Sequence, residues 1–146
     1  LMQAAHRYSL PLAVTEVHVG CTREEQLRWL REAFDEAQAA RSAGVDVRAI
    51  AAWSLLGATD WDSLVTQPAG HYESGVFTLS QGEPRPTVLA TLLTALASDR
   101  AWDHPVLATP GWWRRRQRLL HPPVATCRRA AACGSNPRPA CSCGVR

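Results

Sequence analysis

An α/β fold in the order β-α-β-loop-α is what these 146 residues predict. Three observations carry the prediction: an apolar run over residues 10–17, an amphipathic helix with both of its end signals over 22–44, and a second apolar run over 45–54, all joined by short links. A strand, a helix of about twenty residues and a second strand in close succession make a right-handed βαβ unit.

Taken in order, the first strand reads Leu-Pro-Leu-Ala-Val-Thr-Glu-Val and ends on the carboxylate of Glu16. Unbroken rather than alternating hydrophobicity suits a parallel strand covered on both faces. Thr22 and Glu25 then stand in the T-x-x-E spacing of a capping box, which satisfies orphan amides at a helix start. Leu27, Leu30, Phe34 and Ala37 recur at three- and four-residue steps and form one apolar face. Glu24, Glu25, Glu32 and Glu36 lie on the helix flank and read as a solvated face. Gly44 supplies the left-handed residue that closes the helix. The second strand covers 45–54 and ends near Trp53. Residues 57–86, rich in Gly, Pro, Asp and Ser, predict a long loop with a short hairpin around 72–77 and Gly82. Pro86-Thr87 opens the last helix, residues 88–97, with Leu89, Leu92, Leu93 and Leu96 on its apolar face.

Residues 1–97 thus form the patterned part. Residues 98–123 read as a linker-like extension in which 103–107 and 110–113 wrap back onto the preceding helix. Residues 124–146 are an Arg-, Cys- and Pro-rich tail with too little aliphatic content to offset its chain entropy, and disorder is expected there. The charge divides in the same way. Residues 1–113 hold eight arginines and all thirteen acidic residues, a net of −5, whereas 114–146 hold eight arginines and no acid, so the overall +3 belongs to the tail. With Leu1 where an initiator Met is expected, the chain is read as starting inside a longer reading frame.

No stretch approaches the ~18 consecutive apolar residues of a membrane span. The first residues lack a signal-peptide pattern, so a cytoplasmic product is expected. Four of the five cysteines, Cys127, Cys133, Cys141 and Cys143, fall in the tail at spacings that do not bring paired thiolates to a tetrahedral zinc, and no histidine lies among them. Neither a metal nor a cofactor is expected.

The chemistry-bearing candidates lie at the strand ends. In α/β barrels catalytic groups project from the C-terminal ends of strands. Glu16 stands at such an end, and Trp53 ends the next strand, where an indole gives a sugar ring an aromatic face. On pattern alone Glu16 equally marks where a strand leaves the core, with Trp53 part of that core. His18, two residues beyond Glu16, lines the mouth of such a pocket or is simply polar surface.

These residues resemble the family 1 β-glycosidases. Pro11 to Glu16, then Gly44-Val45-Asp46-Val47-Arg48-Ala49 and Trp53-Ser54-Leu55-Leu56-Gly57-Ala58-Thr59-Asp60-Trp61, are similar to that family's seventh and eighth strands, P-[IL]-x-[IV]-T-E-N-G and G-[VA]-x-[VL]-x-G-Y-x-x-W-S-L-L-D-N-F-E-W. Tyr72 to Phe77, then Pro84-Arg85-Pro86-Thr87, resembles its closing segment. The resemblance implies the C-terminal fragment, two strand–helix units, of a (β/α)8 TIM barrel. It makes Glu16 the catalytic nucleophile, Trp53 the platform under the glycone, and Asp60 and Trp61 further substrate-binding residues, with His18 beside them. Three departures stand out: Val17-His18 in place of Asn-Gly, Gly57 in place of Asp, and Asp60 in place of the longer Glu. A retaining glycosidase needs two carboxyl groups roughly 5–5.5 Å apart. The family's acid/base comes from an N-E-P motif that this sequence lacks, and two of eight strands close no barrel. No hydrolysis is therefore expected from this chain alone, and its expected partners are a β-glycoside and the remainder of the same polypeptide.

Residues 103–114 and 118–123 resemble the linker of two-domain bacterial proteins in which a family 1 glycosidase-like domain precedes a dTDP-4-dehydrorhamnose reductase-like domain, although residues 125–146 contain no dinucleotide turn. The alternatives are accordingly part of such a bifunctional sugar-nucleotide protein, or a non-catalytic carbohydrate-binding remnant. A nucleic-acid partner rests only on Arg114-Arg115-Arg116 beside Trp112-Trp113, a run that usually is just solvated.

Overall fold

The computed structural model describes residues 1–63, 66–79 and 82–115. The expected disordered tail, 124–146, and residues 116–123 of the expected linker lie outside the described residues. The order of elements is helix α1 (Met2–Tyr8), strand β1 (Leu12–Val17), helix α2 (Arg23–Ser42), strand β2 (Val47–Ala52), short strands β3 (Ala58–Thr59), β4 (Tyr72–Glu73), β5 (Phe77–Thr78) and β6 (Arg85–Pro86), and helix α3 (Val88–Ala97). Single 3-10 turns follow at Pro105–Ala108 and Trp112–Arg114.

β1 and β2 pair in parallel, with α2 as the crossover between them. Gly44, at φ 90°, ends α2 as a Schellman turn: the Val45 amide donates to the Ala40 carbonyl at 3.0 Å and the Gly44 amide to the Arg41 carbonyl at 2.9 Å. Val45 packs against the small cluster of Ala37, Ala40 and Val47, the apolar contact that accompanies such a turn. The other end of α2 differs from the sequence pattern. Thr22 is the N-cap, yet its side chain makes no bond to the helix amides, and Glu25 turns away to Arg28, Arg115 and the Trp112 amide. Glu24 takes over the first turn. A hydrogen bond from its own amide, then one with the Thr22 hydroxyl, hold its carboxyl below the usual range.

One face of the β1–β2 pair is covered. Val17, Leu27, Leu30, Leu89, Leu92, Leu96 and Val106 form the buried core, with Val14, Ile50 and Ala52 packed against it. The opposite face carries Ala13, Thr15, Glu16, Arg48, Ala49 and Ala51, all exposed. The expectation of strands covered on both faces is thus met on one face only, because two strands cannot curl far enough to cover their own second side. Among the described residues the strands form three two-stranded sheets and no closed barrel.

The register of β1 explains which residues share a face. Val14 pairs with Ile50 and Val17 with Ala52, so β1 spends three steps where β2 spends two. This one-residue bulge brings Val14 and Val17 to the same core despite their odd spacing and leaves Thr15 and Glu16 consecutively exposed.

Two findings depart further from the sequence pattern. α1 was not legible: it buries no residue and ends at Ser9 in the left-handed region. Residues 100–102 line a cleft with α3 and Val106 shares the core with its leucines, but 105–115 make their hydrogen bonds and ion pairs to α2 rather than to α3, the helix they follow. Val106 enters the core; Arg28 donates to the Val106 carbonyl at 2.8 Å and to the Thr109 hydroxyl at 2.9 Å. Trp113 is buried edge-on against Trp29, with ring centroids 4.8 Å apart, and donates its indole N–H to Glu32 at 2.8 Å. The flank of α2 is correspondingly not a solvated face. Glu25 is buried and bonded to Arg28 and Arg115, while Arg114 pairs with Glu32 and Glu36. A period-3.6 pattern registers acidic residues as polar, but not that a basic and aromatic segment some eighty residues away returns to meet them.

Candidate functional site

Because β1 and β2 run parallel, their C-terminal ends lie side by side, and the ladder continues past them: the Trp53 amide donates to the Val17 carbonyl at 3.2 Å. Glu16 is exposed at the end of β1, while Trp53 is half-buried at the end of β2. Trp53 is the centre of an aromatic row. The His18 ring stands edge-on to it at 4.9 Å, and the Trp61 ring lies tilted by 35° at 5.0 Å. Trp61 remains exposed, so the row runs from the interior to the surface. Edge-on and tilted pairs are the favoured arrangements of aromatic quadrupoles.

Of the five residues singled out from the sequence, the structure therefore brings His18, Trp53 and Trp61 into one row. Glu16 is exposed one residue before Val17, whose carbonyl accepts the Trp53 amide. Asp60 is differently engaged. It is buried, at φ 56°, and its two carboxylate oxygens accept the amides of Gly70 at 3.1 Å and His71 at 2.8 Å, while its own amide donates to the His71 carbonyl at 2.7 Å. Asp60 thus staples the loop between β3 and β4 shut next to Trp61.

Behind the row lies a polar cluster that sequence reasoning did not assemble. Glu73 of β4 accepts a hydrogen bond from Gln26 Nε2 at 2.6 Å, and the same amide group reaches the Val19 carbonyl at 3.3 Å. His18 Nε2 lies 3.4 Å from the same Glu73 oxygen, within ion-pair reach but misaligned for a hydrogen bond, so this buried nitrogen has no hydrogen-bond partner; neither has the Ser54 hydroxyl. Arg23 donates to the carbonyls of Ser74 at 3.0 Å and Gly75 at 3.4 Å. Burial holds the Arg23 guanidinium below its ordinary range, and Glu73, then Tyr72, act in the opposite direction. The first turn of α2, through Arg23 and Gln26, thereby anchors residues 73–75 beneath Trp53.

Two glycines make this closeness feasible. A Cβ on Gly75 would fall into the Ser54 carbonyl and within 2.6 Å of the Gly57 amide, and one on Gly57, at φ 90°, would fall into the Glu73 carbonyl. Only hydrogen fits where the chain after Trp53 meets the chain after Glu73. Gln26 and Glu73 are 47 residues apart, and no local periodicity couples them.

No family profile, curated protein or solved structure matches the chain. Among the described residues no group of His, Cys, Asp and Glu side chains is arranged to hold a metal ion, and no helix is long and apolar enough to cross a membrane. What the site offers chemically is an exposed carboxylate at one strand end and a graded indole surface at the next.

Proposed function

We propose that this chain supplies the nucleophile-bearing and sugar-stacking side of a retaining β-glycosidase-like site, with Glu16 as nucleophile, Trp53 and Trp61 as the platform, and the complementary acid/base carried by further strands of a (β/α)8 barrel in the same polypeptide. One observation supports this above the others: two adjoining parallel strands end side by side, the first on an exposed carboxylate and the second on an indole within an aromatic row. The apolar face of a pyranose stacks on such a ring. A carboxylate oxygen then attacks the anomeric carbon, the bond to the leaving oxygen breaks, and an ester to Glu16 results. The departing alkoxide needs a proton, so ordinary glycosides are inert to this chain by itself.

A leaving group that needs no proton isolates the nucleophile. Incubation with 2,4-dinitrophenyl 2-deoxy-2-fluoro-β-glucoside should add one fluoroglucosyl mass to the peptide containing Glu16, and Glu16→Gln should take up none. A second reading, a sugar-binding surface without catalysis, draws on the exposure of Trp61 beside Trp53. It predicts no adduct, together with methyl β-glucoside binding that survives Glu16→Gln and fails in Trp53→Ala. Absence of both adduct and binding refutes both readings.

A further inference from the structure

We propose that Glu73 is a positioning residue of this site: anchored by Gln26, it holds the His18 imidazole edge-on against Trp53 and so fixes the plane on which a sugar stacks. The geometry starts with a constraint. His18 follows directly on the last residue of β1, so its ring can turn only about its own side-chain bonds. On one side it meets Trp53 at 4.9 Å; on the other its Nε2 faces the Glu73 carboxylate at 3.4 Å. A buried ring nitrogen without a hydrogen bond is unfavourable, and the only anion beside it among the described contacts is Glu73. A small rotation of the ring that aligns its N–H turns that approach into a charge-assisted hydrogen bond. The carboxylate is itself immobilised, because Gln26 Nε2 donates to the same oxygen at 2.6 Å from the rigid first turn of α2. The charged and titratable groups around the pair are Arg23, directed at the backbone of 74–75, and Tyr72, whose hydroxyl accepts from the Leu79 amide.

His18 and Glu73 act through Trp53 rather than on a substrate. The space enclosed by Val17, His18, Gln26, Trp53, Ser74 and Leu89 is about 10 Å³, room for no more than about one water. The imidazole edge therefore transmits the position of Glu73 to the indole, whose ring also meets exposed Trp61 at 5.0 Å. The consequence for sugar binding rests on the platform role proposed above; the coupling of Glu73 to Trp53 does not.

A double-mutant cycle on the full chain tests the coupling. The readout is the Trp53 indole N–H cross-peak, assigned by its loss in Trp53→Phe, with and without methyl β-glucoside. Glu73→Ala should move the peak and weaken glucoside binding about tenfold, as a displaced stacking platform would, and Glu73→Gln, which keeps an acceptor oxygen, should largely restore both. In a His18→Phe background, where the ring edge persists but has no nitrogen to hold, Glu73→Ala should leave the peak where His18→Phe alone puts it. Equal displacement by Glu73→Ala in both backgrounds, or none in either, overturns the proposal. If wild-type protein binds no glucoside while the cycle shows coupling, the platform reading fails and the positioning role stands. Thermal melts identify variants that fail to fold. Should Glu73→Ala be one of them, Gln26→Leu replaces it, since it frees the same carboxylate and must shift the same peak.

Discussion

Replacing Glu32 by Ala removes the hold of α2 on Trp113 and Arg114, and the size of the effect follows from the contacts. Glu32 accepts the indole N–H of Trp113 at 2.8 Å, and Trp113 is only 8% exposed, so the substitution leaves a buried donor without a partner. A hydrogen bond to a charged acceptor contributes about 1.5–3 kcal/mol. The other oxygen of Glu32 meets Arg114, whose side chain is 56% exposed, and an ion pair that open to solvent adds at most about 1 kcal/mol. The sum is about 1.5–4 kcal/mol, or roughly 6–16 °C in Tm at about 4 °C per kcal/mol for a chain of this size. Glu32→Gln, keeping an acceptor oxygen, should lose about half as much. Thermal unfolding followed by tryptophan fluorescence measures both. The Trp113→Phe background separates the terms: there Glu32→Ala should be reduced to the small Arg114 contribution. Acid gives an independent check. Burial pushes the Glu32 carboxyl up, but the hydrogen bonds from Arg114 and Trp113 outweigh it and hold it below its ordinary 4.5. A carboxyl depressed in the folded state stabilises above that ordinary value, and its contribution disappears as pH falls through the folded value. Wild-type stability should therefore decline below pH 4.5 more steeply than that of Glu32→Gln. A Glu32→Ala change under 2 °C (about 0.5 kcal/mol), or effects of Glu32→Ala and Trp113→Phe that simply add, would refute the reasoning.

Leu92 of α3 is fully buried in the main core, and Leu92→Ala should lower unfolding free energy by about 3–4 kcal/mol, seen as a fall in urea midpoint at unchanged slope. Asp60→Asn keeps a residue type that tolerates the left-handed backbone at φ 56° but puts an NH2 against one of two donor amides. It should cost about 2 kcal/mol and speed limited proteolysis within 61–71, with the rest of the chain equally resistant. Gly75→Ala places a methyl group in the Ser54 carbonyl and should displace the Trp53 indole cross-peak while costing about 2–3 kcal/mol; an unmoved peak contradicts the close approach.

What was legible in the sequence is what neighbours in the chain decide. α3 runs over the residues its leucine spacing and the preceding Pro86-Thr87 mark out, and α2 stops at the glycine that only a left-handed turn requires. The two apolar runs pair in parallel around their crossover helix. What was not legible depends on partners far along the chain. Thr22 and Glu25 have capping-box spacing, but Arg115 and the Trp112 amide compete for Glu25 from ninety and eighty-seven residues away. Glu73 falls in the stretch 57–86 that the sequence marks only as a loop, and the fold sets it between Gln26 and His18. Asp60 could be placed near Trp61 from sequence, but not its capture by the loop amides of Gly70 and His71, which depends on the path of the loop.

The bulge in β1 has the largest bearing on chemistry. In a regular strand Glu16 shares the face of Val14, and that face is the helix-covered core, where an ionised carboxylate is strongly disfavoured. The extra residue between Val14 and Val17 resolves the conflict: Val17 takes the core position and Glu16 moves to the open face. Deletion of Thr15 removes the extra residue and leaves Val14 and Val17 two steps apart on the core side, with Glu16 between them opposite exposed Ala51 and still on the open face, so it should cost less stability than Leu92→Ala. A Thr15 deletion more destabilising than Leu92→Ala would mean that this alternation does not decide where the carboxylate lies. The reading of Glu16 as a group presented for reaction, rather than one merely left at a strand end, depends on that device.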